Sequence, residues 1–392
     1  MWGGYFLNYC ARQAVFAMFP ALKADLVMND SQLGLLGSLF LWVYCLCNPV
    51  AGKMGDRFSK RRLVVLSLVA WSVATIITGF AGSPTTLLIL RSLFAMAEVL
   101  FMPAALALTA NAFLPAKRSR AIAVLLTAQI AGTVSGSWFG GWMAQQGSWR
   151  GAFFTIGAVG LVYAVPYLLF LRREIVEDEV KTAETPASLP LRALVKVPTL
   201  MLLCAVSTSF GFGLWLIYGW LQNFLHEKFS LGLSDAAFNA TVFLQGAALV
   251  GLLCGGLLAD WLYLRTKAAR LWILAAGLFL CAPCLHALGS SGSLADFRLA
   301  ALGFGLFSGF LMGNIFPAVF DVVPAASRAT AVGLVNFCGF VSGFAPLLGG
   351  LWKQTVGIDS LFSRIAIVYL IFGLLLIAGI KLLFPRDFAR AH

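Results

Sequence analysis

Three charged residues stand inside runs that are otherwise apolar: Arg12, Arg91 and Glu98. An ion at bilayer depth costs about 3 kcal/mol or more, so such residues point to function before structure. Arg12 has Asn8 one helical turn before it and Tyr5 about two turns before it, which puts all three on one face. Arginine stays protonated at physiological pH, and its planar fork suits a carboxylate. It can anchor an anionic substrate, or stand in an ion pair with Glu98 or a helix end. Both hold if the substrate displaces the internal partner. Burial and a nearby arginine pull the proton affinity of Glu98 in opposite directions, so it can exchange a proton in the physiological range. Arg91 lies on the same face, about 10 Å along the axis, and is the alternative structural partner of Glu98.

Neutral polar groups extend the set. Gln129 and Asn336 fall at matching places 207 residues apart, where two amides can bond a polar solute or simply bond neighbouring helices. Gln245 and Asn314 are weaker candidates of the same kind. The stretch GFGLWLIYGWLQNF places Trp215 and Tyr218 on one face, with glycines at 211, 213 and 219 that let a helix bend. These aromatics line a cavity or form part of an interfacial belt. Asp321 reads as a gate or helix-end group. His226 and His286 lack a partner set that suggests a metal, and no nucleotide-binding loop or local catalytic constellation occurs. The eight cysteines lie in apolar runs and read as small buried hydrophobes.

The elements that must carry these residues are membrane helices. The 392 residues are 60% hydrophobic and 11% charged, against about 25% charged in soluble domains. Mean hydropathy is +0.89. A span needs about 20 apolar residues. Twelve are expected, near 3–22, 32–53, 63–81, 86–112, 119–143, 150–171, 198–225, 236–260, 270–289, 297–321, 328–352 and 361–384. The longest polar stretch, 172–192, separates six spans from six. Expected domains are therefore an N-terminal bundle 1–172, a cytoplasmic linker 173–197 and a C-terminal bundle 198–392.

Basic residues crowd alternate loops: Arg57, Lys60, Arg61 and Arg62; Lys117, Arg118 and Arg120; Arg172, Arg173, Lys181, Arg192 and Lys196; Arg265, Lys267 and Arg270. Positive loops stay inside, so both termini and the linker are expected in the cytoplasm and the chain in the inner membrane. This alternation accounts for most of the +12 net charge. A nucleic-acid surface would not alternate loop by loop.

The halves repeat. Arg120-Ala-Ile-Ala-Val124 returns as Arg328-Ala-Thr-Ala-Val332, and Gly132-Thr-Val-Ser-Gly136 as Gly339-Phe-Val-Ser-Gly343. Gly52-x-x-x-Asp56 returns as Gly256-x-x-x-Asp260. Parallel repeats of this kind place a substrate site between pseudo-symmetric six-helix bundles near the midplane.

The segment Gly52-Lys-Met-Gly-Asp56-Arg57-Phe-Ser-Lys60-Arg61 resembles the loop signature of the major facilitator superfamily, G-x-x-x-D-R-x-G-R-R, with Ser59 in place of the second glycine. The resemblance covers the whole chain. It implies an all-α membrane protein of twelve helices, and a cytoplasmic gate at Gly52, Asp56, Arg57, Lys60, Arg61 and Asp260. Asn8-Tyr9-Cys10-Ala11-Arg12 with Pro20, then Ala97-Glu98 with Pro103, Arg118-Ser-Arg120 and Trp149-Arg150-Gly-Ala-Phe-Phe, is most similar to the anion:cation symporters. Spinster-like lipid transporters resemble it second, but they commonly have an acid at the position of Ala11. Organophosphate exchangers add an arginine in the seventh span, and residues 198–225 hold no Lys or Arg. Drug–proton antiporters have a proline where Ser137 stands.

What the resemblance and the residues imply together is a secondary transporter, not an enzyme. It would move a small organic anion, a carboxylate or sugar acid, by alternating access with proton symport. The alternative is a proton-coupled carrier of lysolipid or another amphiphile. Arg12, Asn8, Gln129, Tyr218, Asn336 and Gln245 would bind substrate; Glu98 and Arg91 would couple protons. No cofactor beyond the proton is expected. The expected partners are the small anion and membrane lipid, and the expected state is a monomer.

Overall fold

The computed structural model describes residues 1–57, 59–112, 115–171, 190–324 and 327–391. Seventeen helices follow in order: α1 (Trp2–Ala17), α2 (Phe19–Asp25), α3 (Asp30–Arg57), α4 (Lys60–Thr78), α5 (Pro84–Glu98), α6 (Phe101–Ala112), α7 (Pro115–Gln145), α8 (Trp149–Leu171), α9 (Leu191–Leu194), α10 (Pro198–Phe229), α11 (Leu233–Tyr263), α12 (Ala269–Ser290), α13 (Leu294–Phe320), α14 (Arg328–Ser342), α15 (Ala345–Trp352), α16 (Ile358–Leu382) and α17 (Phe384–Ala391). The protein is an all-α, multi-pass membrane protein. Ten stretches among the described residues are long and apolar enough to cross a bilayer. The other two expected spans correspond to α1 with α2 and to α7.

Three expected spans are each split into two helices, and each split precedes a proline. Proline lacks the N–H that would bond the carbonyl four residues back, and its ring crowds that carbonyl. Pro20 follows the break at Met18, Pro103 the break between α5 and α6, and Pro346 the break at Gly343. Pro166, Pro283 and Pro317 lie inside unbroken helices, so proline permits a break without dictating one. Joining the three broken pairs and setting aside the short α9 and α17 leaves the twelve expected spans. Helix starts carry local signals too. Ser83 accepts from the Thr86 N–H ahead of Pro84. Ser293 and Asp296 form a capping box at α13, satisfying backbone donors that would otherwise be orphaned.

Contacts group the chain into two compact units. The first comprises Met1–Asp178, Tyr218–Thr241 and Pro346–Leu351; the second comprises Glu179–Ile217, Val242–Ala345 and Trp352–His392. Within the first unit, α1 lies along α7 through a ladder of small residues. A Cβ at Gly132 would fall 2.5 Å from the Phe6 carbonyl oxygen, and one at Gly140 2.6 Å from that of Ala14. Between them, a Cβ at Gly136 would strike the Cys10 backbone. Residues four apart stack on one helix face, so Gly132, Gly136 and Gly140 meet Phe6, Cys10 and Ala14 in register. Arg12 belongs to the segment this seam fixes. In the second unit, Gly305 meets the Leu244 carbonyl and Gly309 that of Ala248, holding α13 against α11.

Segments late in the chain complete the first unit. Trp220 donates from Nε1 to the Pro346 carbonyl at 2.8 Å, and the Leu347 N–H donates to Ser38 Oγ at 2.9 Å. A Cβ at Gly37 would lie 2.9 Å from that of Pro346. Gln222 donates to Ser137 Oγ at 3.2 Å, and Ser234 Oγ to Gln145 Oε1 at 3.0 Å. Around the α2–α3 turn, Lys23 pairs with Asp30 at 2.8 Å. Arg150 pairs with Asp25 at 2.5 Å while reaching the Ala81 carbonyl at 3.1 Å. The hydrogen bond from Arg150 holds the Asp25 carboxyl below the usual carboxylate range, aided by Trp149 Nε1 at 3.1 Å.

The glycine ladder makes a direct prediction. Gly136→Leu is expected to abolish the monodisperse folded protein in size-exclusion chromatography, because the clash is with backbone. Gly82→Ala, where an added Cβ meets nothing within 4 Å, is expected to leave the profile and melting temperature unchanged.

Candidate functional site

The charged residues of the first unit converge. On α1, Tyr5, Asn8, Tyr9 and Arg12 form one stripe by helical spacing, and all but Tyr9 are among its fully buried residues. Helix α5 brings Arg91 and Glu98, and α3 brings Phe40 and Tyr44. Glu98 is the last residue of α5, placed there by the break ahead of Pro103. Arg12 Nη1 stands 3.4 Å from Glu98 Oε1, with the two residues only 7% and 4% exposed. A tight charge-assisted N–H···O bond measures about 2.7–2.9 Å, so this pair is loose. Glu98 Oε2 and Asn8 Nδ2 are buried and have no hydrogen-bond partner among the described residues.

Aromatic rings surround the guanidinium. The Arg12 carbon sits 4.5 Å from the ring centroid of Phe40, 5.2 Å from Tyr9 and 5.7 Å from Tyr44. Cation–π attraction to a desolvated ring contributes about 2 kcal/mol or more, which offsets part of the burial of this cation. Tyr5 donates to Gln129 Oε1 at 3.2 Å and meets Tyr9 edge-on at 5.0 Å between centroids. A cavity of about 20 Å³ opens among Tyr5, Asn8, Arg12, Tyr44, Glu98 and Phe101. One water needs about 10–15 Å³ by this measure, so the cavity admits a water and nothing larger. A larger solute requires Arg12 and Glu98 to part.

Arg91 takes a different role from the ion pair considered above. Its Nη1 donates to the Ala11 carbonyl at 3.2 Å and its Nη2 to the Arg12 carbonyl at 3.3 Å, with Phe94 stacked at 4.5 Å. It thus ties α5 to the backbone that carries Arg12. The cluster of Arg12, Arg91 and Glu98 has a formal surplus of one positive charge when all three are ionised.

The remaining candidates disperse. Gln129 reaches this cluster through Tyr5. Tyr218 is half-buried in the first unit and does not line the small cavity. Gln245 is buried in α11 of the second unit. Asn314 donates to the Phe310 carbonyl of its own helix at 2.9 Å, which gives it a local structural partner. Asn336 is exposed on α14 and lines a separate cavity of about 260 Å³ in the second unit. Of the expected gate, Gly52, Asp56 and Arg57 have side chains outside the described residues, while Lys60 and Arg61 are half-buried at the start of α4. Asp260 stands 4.0 Å from Arg270, which pairs more closely with Asp321 at 2.5 Å. Asp321 caps the C-terminal end of α13, where the helix dipole disfavours an anion and Arg270 compensates.

Sequence reasoning missed the aromatic box. Phe40 and Tyr44 sit one turn apart in an apolar run and read as core. The available signal was an i, i+4 aromatic pair in a span neighbouring a buried arginine.

The buried Arg12–Glu98 pair and its water-sized cavity thus lie among helices long and apolar enough to cross a membrane. The sequence profile described as Major Facilitator Superfamily matches residues 1–346; the chain belongs to that superfamily. It is 30% identical to a probable sulfoacetate transporter of Cupriavidus necator over 68% of this chain, and the match spans 65% of that relative's length. It is 26% identical to a hexuronate transporter of Bacillus subtilis over 90% of this chain and 86% of that protein. The fold resembles a crystal structure of a bacterial homologue of the human lysosomal transporter Spinster in an inward-facing, unoccupied conformation, with TM-score 0.81, 21% identity, and coverage of 100% of this chain and 96% of that one.

The pair predicts an asymmetry in stability. Glu98→Gln leaves a buried cation that cannot shed its charge, at a cost of about 3–5 kcal/mol. Arg12→Gln leaves a carboxyl that can take up a proton, so the loss is smaller. Apparent melting temperatures of purified protein should rank wild type, then Arg12→Gln, then Glu98→Gln. The double variant should melt above Glu98→Gln. Equal melting temperatures for the two single variants would contradict the pairing.

Proposed function

We propose that the protein moves a small organic anion across the membrane by alternating access, with Arg12 as the anion anchor and Glu98 as the proton site. The observation that carries this reading is the loose, buried Arg12–Glu98 pair beside a cavity too small for a solute. An entering carboxylate competes with Glu98 for the guanidinium fork. Once displaced, the Glu98 carboxylate would be an unpaired buried anion, a costly state. Taking up a proton removes that cost. Binding of the anion and of the proton therefore favour one another, which is the requirement for symport. Arg91 keeps the α1 backbone in place while Arg12 changes partner.

The names of the relatives support an anionic substrate, since sulfoacetate and hexuronate are both organic anions. Loop charge supports an orientation with both termini in the cytoplasm and the chain in the inner membrane. In that orientation the contacts of Pro346 and Leu347 with Trp220 and Ser38 lie on the outer side. They would then form the closed outer gate, which must release for the anion to enter.

A second reading, a carrier of a compact amphiphile, draws support from the apolar cavity of about 260 Å³ in the second unit. It predicts uptake that depends on chain length, whereas the first predicts uptake that depends on the carboxylate.

Reconstituted liposomes test the assignment. With a panel of radiolabelled carboxylates, wild type should accumulate at least one under an inward proton gradient. Arg12→Gln should lose accumulation at least 100-fold, and Arg12→Lys should recover little, because an ammonium lacks the fork. Glu98→Gln should lose gradient-driven accumulation yet retain anion exchange. Normal transport by Arg12→Gln would overturn the proposal.

A further inference from the structure

The last helix carries an acid on its packing face. Phe384, Asp387 and Phe388 fall three and four residues apart, on one side of α17. Phe384 and Asp387 are buried, Phe388 is half-buried, and the two rings lie 5.3 Å apart between centroids. Asp387 Oδ2 accepts the Thr199 N–H at 2.9 Å. Thr199 is the second residue of α10, and the first four N–H groups of a helix have no partner within it. A carboxylate is also favoured at the positive end of the helix dipole. Asp387 thus caps α10 from far along the chain and latches α17 to its first turn. Just before α17, Gly379 of α16 lies against the Leu202 side chain of α10, which an added Cβ would strike.

Length sets the depth of this latch. The 25 residues of α16 span about 37 Å, against a hydrocarbon core of about 30 Å. Helix α10 is longer still, with 32 residues. The end of α16 and the start of α10 therefore reach the headgroup layer, and the latch holds α17 there.

The outward face at this level is basic and apolar together. Arg386 and Arg390 are four apart on the exposed side of α17, and Lys381 is exposed in the last turn of α16. Shortly before Thr199, Arg192 and Lys196 are exposed as well. Leu191, Val195 and Leu382 are exposed neighbours in sequence, while Leu194 is buried and seats α9. The acid that these segments contain, Asp387, is turned inward. Basic side chains beside exposed apolar ones suit a segment lying at a bilayer surface. Clustered Lys and Arg at that depth attract anionic headgroups.

We propose that α17, the end of α16 and the α9 turn form a docking surface for anionic phospholipid. Arg386, Arg390, Lys381, Arg192 and Lys196 hold the headgroup phosphates. Asp387 is the positioning residue that keeps α17 at their depth. The surface uses none of the residues assigned to transport above.

Hydrogen–deuterium exchange of the purified full chain tests this in two kinds of nanodisc. One is phosphatidylcholine alone, and the other has a quarter of it replaced by phosphatidylglycerol. Amides of Phe384–Ala391 and of 191–197 should exchange at least tenfold more slowly in the anionic discs. About 1 M sodium chloride, which screens charges beyond about 3 Å, should remove the difference. The double variant Arg386→Gln, Arg390→Gln should remove it in Phe384–Ala391 and leave exchange in neutral discs unchanged. Should that variant fail to fold, the salt arm on wild type decides. Asp387→Leu should speed exchange of Phe384–Ala391 in both discs. Equal exchange in the two discs would overturn the proposal, as would a difference that survives salt or the double variant. Protection of the same amides in neutral discs by glycerol 3-phosphate would also overturn it, since the ligand would then be a free phosphate.

Discussion

A permanent cation placed among hydrocarbon must be compensated at every stage of the protein's cycle, and much of the first unit answers that requirement. Arg12 is met by one carboxylate oxygen of Glu98 and three aromatic rings. The contact is long, the second oxygen of Glu98 has no hydrogen-bond partner among the described residues, and a cavity of one water's size adjoins it. A tight, fully bonded pair would be a structural strut. A loose one can exchange partners, and a transporter needs that.

The surrounding architecture fixes the half of the pair that must not move. The glycines of α7 seat the α1 backbone by direct contact, and Arg91 grips the carbonyls of Ala11 and Arg12 from α5. Pro103 ends α5 at Glu98, which puts the carboxylate at a helix break rather than within a rigid rod. One partner is thus anchored through its backbone and the other hangs at an end. Rearrangement of the pair need not deform α1.

Much of this was legible in the chain. Tyr5, Asn8 and Arg12 announce a polar stripe because helical spacing is simple and intramembrane charge is rare. Glu98 follows by the same logic. The target of Arg91 could not be read, since backbone carbonyls leave no mark in a sequence and the answer depends on which helix crosses α5. Phe40 and Tyr44 were hidden by their ambiguity, because an aromatic against a cation and an aromatic in a core look alike. The broken spans had a visible cause in Pro20, Pro103 and Pro346, yet Pro49, Pro166, Pro283 and Pro317 interrupt nothing. Repeat symmetry does not extend to the surroundings of Gly339, which lines a cavity where its counterpart Gly132 meets a helix. Local sequence specifies the backbone, and the neighbour that fills the space is set by tertiary packing.

The account turns on the claim that an anion takes Arg12 from Glu98 and that the freed carboxyl takes up a proton. Proton uptake on binding measures this directly. Purified protein in weakly buffered solution with a pH indicator is mixed with the carboxylate that gives the largest thermal shift. The account predicts uptake of about one proton per anion bound, by linkage between the two sites, and none in Glu98→Gln. Saturable anion binding to the wild type with no proton uptake would contradict it.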